Sequence, residues 1–146
     1  YFFYFPTEFH IMVLCISILA NDQPPLYFKC IPGDANREND LRLFVYSSLD
    51  VFDEKIQSIG NKPHQELFLG SLYLNNKFRS YGYMTNTQVK ILVVVDSTNQ
   101  AIKEHDMRVL CRQIHQIYSR VIMNPFYEIR SPIQSRELDG LLTMSE

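Results

Sequence analysis

The sequence predicts an α+β domain in which one β-sheet lies between two layers of helix. Three observations carry that expectation. Two strand-length runs are apolar on both alternating faces, three β segments include one of these and follow one another across short polar turns, and two longer segments place apolar residues at steps of three and four. A strand that is apolar on both sides belongs to a sheet covered on both sides, and helices are the elements left to cover it.

Met12 to Leu19 (Met-Val-Leu-Cys-Ile-Ser-Ile-Leu) is the first such run and is expected in the middle of the sheet. Asn21-Asp22-Gln23-Pro24-Pro25 is dense in turn formers, so Leu26 to Ile31 reads as a second strand returning beside the first. After a polar loop from Pro32 to Asn39, the positions Leu41, Val45, Leu49, Phe52, Ile56 and Ile59 fall on one helical stripe. This predicts a helix from Asp40 to Gly60, with Asn39 or Asp40 as its cap and Gly60 as its end.

Leu67 to Leu74, Phe78 to Met84 and Val89 to Val95 read as strands joined by Asn75-Asn76-Lys77 and Asn86-Thr87-Gln88, the spacing of an antiparallel meander. Val89 to Val95 is apolar nearly throughout and is the second candidate for the sheet's middle. Met107, Leu110, Cys111, Ile114, Ile117, Tyr118, Val121 and Ile122 then predict a helix from Ile102 to Met123, stopped by Asn124-Pro125. A short last helix is expected from Ser135, as N-cap, through Leu138, Leu141 and Leu142, so that the order is ββαβββαα.

The chain has 146 residues, 46% of them apolar, which suits one domain with one folding unit. Lys and Arg number 14 against 16 Asp and Glu, scattered without a basic block, so nucleic acid is not an expected partner. Cys15, Cys30 and Cys111 are odd in number, include no C-x-x-C pair and read as core residues of a protein in a reducing compartment. Ile11 to Ala20 is too short to span a bilayer, which needs about 20 apolar residues. Residues 1–11 are aromatic-rich, show no period and are set aside as an extension, with the domain expected over 12–146.

A search for reactive constellations finds no G-x-S-x-G, no G-x-G-x-x-G and no Walker loop. His10, His64, His105 and His115 never pair at the helical spacing of a metal site, and Cys111, one turn before His115, lies on an apolar stripe. Asp50, Asp53 and Glu54 form one ridge beside that of Leu49 and Phe52. Such a ridge serves as a solvated face or as an interface that receives a partner's cations. Asn124-Pro125-Phe126-Tyr127 sets two large aromatics in one corner, which either pins the chain to the core or presents an anchor.

Ser48-Leu49-Asp50-Val51-Phe52-Asp53-Glu54-Lys55 and Asn124-Pro125-Phe126-Tyr127 together resemble the sedlin family, the longin-like small subunits of the TRAPP vesicle-tethering complex. Leu69-Gly70-Ser71-Leu72-Tyr73 and Tyr81 to Lys90 are similar to its "subunit 2-like" branch, and the resemblance runs from about Met12 to the last helix. It implies a longin-like fold, a five-stranded antiparallel sheet with one helix on one face and two on the other. It also implies no catalytic activity and no cofactor. The expected partners are other TRAPP subunits, small and scaffold, and indirectly a Rab GTPase, at ER–Golgi and Golgi membranes. Asp50, Asp53, Glu54, Asn124, Pro125, Phe126 and Tyr127 become the candidate interface residues. The family usually carries a histidine shortly before S-L-D, where this chain has Phe44-Val45-Tyr46-Ser47, and the helix entrance reads a residue or two shorter.

Two other readings stay open. One is a regulatory longin domain of the SNARE or clathrin-adaptor type, the SNARE version being disfavoured because no coiled coil or membrane segment follows. The other is a small transferase working in a surface groove, which would call for a cofactor.

Overall fold

The computed structural model describes residues 13–20, 25–30, 35–59, 67–85, 87–96, 104–128, 132–136 and 138–139. Its elements are β1 (Val13–Ala20), β2 (Tyr27–Cys30), α1 (Ala35–Ile59), β3 (Leu67–Leu74), β4 (Phe78–Met84), β5 (Val89–Asp96) and α2 (Glu104–Ile122). The strands form one five-stranded sheet in the order β2-β1-β5-β4-β3, and every neighbouring pair is antiparallel. β3, β4 and β5 make the expected meander, β2 returns beside β1, and the two all-apolar strands sit in the interior.

The alternation along β5 shows why both of its faces are apolar. Ile91, Val93 and Val95 join the cluster under α2, whereas Leu92 and Val94 join the one under α1. β1 divides in the same way, with Ile16 and Ile18 under α2. A register shift between Val13 and Cys15 gives β1 an extra residue against β5, so that Leu14 and Cys15 both join the α1 side. Burying an aliphatic side chain of this kind contributes about 1.5–3 kcal/mol. The sheet therefore separates two cores and keeps the helices on opposite sides.

α1 begins at Ala35, more than a turn before the expected start, so Asn39 and Asp40 lie within the helix and do not cap it. From Ala35 to Asp40 all the side chains but Arg37 are exposed, so this first stretch carries no apolar stripe to announce it. Asp40 instead meets Lys77 of the β3–β4 turn at 3.8 Å. At the other end of the chain, Arg136, Leu138 and Asp139 are helical, and the Ser135 hydroxyl accepts the Leu138 N–H at 3.3 Å, as an N-cap does. Leu138 is fully buried in the α2-side core, so the second helical layer of the expected one-and-two arrangement is on that face. Residues 1–11, Gly60, Leu141 and Leu142 lie outside the described residues.

Candidate functional site

The S-L-D-V-F-D-E-K segment is first of all the seat of α1. Phe44, Ser48 and Phe52 recur at steps of four, about 6 Å along a helix, while Phe78, Ser80 and Gly82 recur at steps of two, nearly 7 Å along a strand. The two repeats match. The Phe44 and Phe78 rings lie 5.4 Å apart, Ser48 Oγ lies 2.8 Å from Ser80 Oγ, and Phe52 packs on Gly82. A Cβ at Gly82 would fall 2.9 Å from the Phe52 ring and 2.6 Å from Leu72, so only glycine lets the helix approach this closely. Ser48 also donates to the Phe44 carbonyl at 2.8 Å, which satisfies a hydroxyl in a fully buried place.

The acidic ridge divides. Asp53 receives the Lys90 ammonium of β5, which also lies 5.7 Å from the Phe52 ring centroid. Lys55 donates to the Ser71 carbonyl at 2.9 Å and to Leu69 at 3.4 Å, tying α1 to β3 where Gly70 takes a φ of 74°. Asp50 and Glu54 point to solvent and form no ion pair among the described residues. Leu43 and Tyr46 are exposed on the same outward side, and Tyr73 of β3, the neighbouring edge strand, is exposed beside them with its ring 5.3 Å from that of Phe44. The apolar half of this surface was not singled out from the sequence. Leucine and tyrosine off the apolar stripe of a helix were the signal for it.

At the end of α2 the N-P-F-Y corner is a tight turn. Asn124 Oδ1 accepts the Phe126 N–H at 3.0 Å and the Asn124 carbonyl accepts the Tyr127 N–H at 2.9 Å, with Pro125 supplying a fixed φ between them. The two aromatics part company: Tyr127 packs against the α2-side core, while Phe126 is 93% exposed. Met123, 79% exposed, and Ile122 extend this apolar patch, so Ile122 does not belong to the buried stripe of α2. The helix's last turn has run past the sheet-facing core at that point. The two sequence-predicted clusters are thus on opposite faces of the sheet and are not brought together.

The hollows offer no comparable set. One, about 710 Å³, lies between β2 and the segment of Pro132 to Arg136 with Asp139, where Asp139 is already engaged by the Tyr27 hydroxyl at 2.7 Å and by Lys29 at 3.0 Å. Burial and then this hydrogen bond push the Tyr27 phenol well above its ordinary value. Burial works to raise the Asp139 carboxyl, but the bonds from Tyr27 and Lys29 hold it below the usual range. Cys111 is fully buried and its thiol is pushed up to about 12, while His115 faces the Tyr83 ring at 6.0 Å. Among the described residues no group of three or more His, Cys, Asp or Glu is placed to hold a metal ion, and no helix is long and apolar enough to cross a membrane.

A five-stranded antiparallel sheet with helices on both faces is the arrangement of a longin-like module. Residues 18–144 match the family model for Sedlin, and the chain belongs to that family. It is 41% identical over 136 residues to the trafficking protein particle complex subunit 2-like protein of Bos taurus, covering 90% of this chain and 95% of the relative. The protein of that name from Xenopus tropicalis is 40% identical over the same shares. The one from Dictyostelium discoideum is 30% identical over 127 residues, with 86% and 89% covered.

Proposed function

We propose that the chain is a non-enzymatic subunit of the trafficking protein particle complex that bridges two neighbouring subunits. The observation that carries this reading is the pair of outward surfaces on opposite faces of one rigid sheet. One is the mixed apolar and acidic side of α1, with Leu43, Tyr46, Asp50 and Glu54 beside Tyr73; the other is the apolar corner of Ile122, Met123 and Phe126. The names of the relatives support the assembly, and the two surfaces support the bridging. A bridge of this kind works in vesicle transport at ER–Golgi and Golgi membranes, and it supports a Rab GTPase's activation through the assembly as a whole.

An aromatic anchor such as Phe126 loses its contact area on truncation, and hot spots of this type cost about 2 kcal/mol or more. A carboxylate such as Asp50 selects a cationic partner group and suppresses wrong pairings. The test is affinity for individually purified subunits of the complex. Asp50→Tyr should weaken one interaction and Phe126→Ala another, each by roughly tenfold or more if it is a hot spot, with circular dichroism and melting unchanged. Both variants binding every subunit as the parent does would remove the reading.

A further inference from the structure

We propose that Cys15 and Cys30 form a modification site: a thiol pair that a hydroperoxide oxidises to a reversible disulfide within the chain. The two residues stand directly opposite each other on β1 and β2, with their Sγ atoms in hydrogen-bond contact at 3.3 Å. Opposed residues of antiparallel strands have Cα atoms about 4.5 or 5.5 Å apart, inside the disulfide window of about 4.4–6.8 Å. Closure to an S–S bond of about 2.05 Å is therefore a matter of side-chain torsion, with the strand register kept.

Access is unequal in a way that orders the reaction. Cys15 is fully buried between β2 and β5, whereas Cys30 is half-buried at the end of an edge strand. The groups facing the pair come from α1. Arg42 lies 4.8 Å over the neighbouring Phe28 ring and favours a thiolate at either sulfur, while Glu38 opposes one at Cys30. The contact between the thiols lowers Cys30 and, with burial, raises Cys15, so the first thiolate forms at the accessible member. The third cysteine, Cys111, is fully buried on the opposite side of the sheet and does not compete.

The Cys30 thiolate attacks one peroxide oxygen, forming an S–O bond and breaking O–O, and hydroxide leaves to take up the proton released by Cys30. Cys15 then attacks the Cys30 sulfenic sulfur, the S–S bond forms, and the sulfenic hydroxyl departs with the Cys15 proton as water. With hydrogen peroxide, two thiols and one peroxide give one disulfide and two waters; an alkyl hydroperoxide gives one water and one alcohol, its alkoxide leaving in place of hydroxide. The product fastens β2 to β1 on the α1 side, while Tyr27 and Lys29 already hold β2 to Asp139 on the other.

The full chain is exposed to hydrogen peroxide, denatured and assayed for thiols, then digested without reductant. Two of the three thiols should be lost, one fragment should join Cys15 to Cys30, and dithiothreitol should reverse both changes. Cys15→Ser should leave Cys30 as a sulfenic acid that dimedone captures. Should that variant fail to fold, Cys111→Ser decides, and it should still close the disulfide. The proposal is overturned if Cys30 gains oxygen while Cys15 stays a thiol, if the bond joins two chains or includes Cys111, or if all three thiols survive doses that oxidise a free cysteine peptide.

Discussion

α1 and α2 cover opposite faces of the same sheet, yet they are held there by different means. α2 presents Met107, Leu110, Cys111, Ile114, Ile117 and Tyr118, all buried, and its docking rests on apolar area. α1 buries fewer large side chains and adds polar fastenings: the Ser48–Ser80 hydroxyl pair, Lys55 on the β3 carbonyls and Asp53 with Lys90. Hydrogen bonds are directional and apolar contact is not, so α1 is set in one register along β4 while α2 is set chiefly by fit. The outward surfaces differ correspondingly. α1 offers a mixed face along its length, and α2 offers a compact apolar corner beyond its end.

The largest test of this contrast is in the cores. Phe52→Ala should cost about 3–5 kcal/mol and Ile114→Ala about 2–5 kcal/mol in chemical denaturation. The two residues lie in separate clusters with the sheet between them, so the double variant should sum to within about 0.5 kcal/mol. A larger coupling would mean that the faces are not independent. Gly82→Ala comes next, at about 1–3 kcal/mol, because the new Cβ displaces Phe52 or Leu72 from a filled space. A neutral result would show that α1 is free to slide along β4.

A smaller effect belongs to the brace at β2. The folded Asp139 carboxyl is held below its ordinary value, so its stabilisation is present above the unfolded carboxylate value of 3.8 and is lost as pH falls through the folded one. Its side chain is 40% exposed, so Asp139→Asn should cost only about 1 kcal/mol at neutral pH, and the melting curves of parent and variant should converge in acid. Asp53→Ala should cost less than about 1 kcal/mol, since the Asp53 carboxylate is largely solvated. If it also left subunit binding intact while Asp50→Tyr did not, the acidic ridge would divide as the geometry divides it.

The parts that were legible in the sequence are those whose pattern is apolar. β1, β5 and α2 follow from runs and stripes that only burial explains, and the strand pairing follows from short polar turns. The first turn of α1 was not legible, because exposed polar residues read alike in helix and loop. Nor was the ladder of Phe44, Ser48 and Phe52 on Phe78, Ser80 and Gly82, since it joins two periods in segments distant along the chain. The corner of Phe126 and Tyr127 was found, but two adjacent aromatics in one turn carry no period to tell which faces inward. Asp53 was grouped with Asp50 and Glu54 by spacing alone, and its partner Lys90 is 37 residues away. Cys15 and Cys30 read as separate core residues, although the expected hairpin of β1 and β2 already placed them near one another.

The proposed bridge holds different partners on its two faces at the same time. Light scattering of the chain mixed with the two subunits that Asp50→Tyr and Phe126→Ala respectively fail to hold tests it most directly. A single species with the mass of one copy of each of the three proteins is expected, reduced by one partner in each variant. Mutual displacement of the two partners, so that no species exceeds a pair, would contradict it.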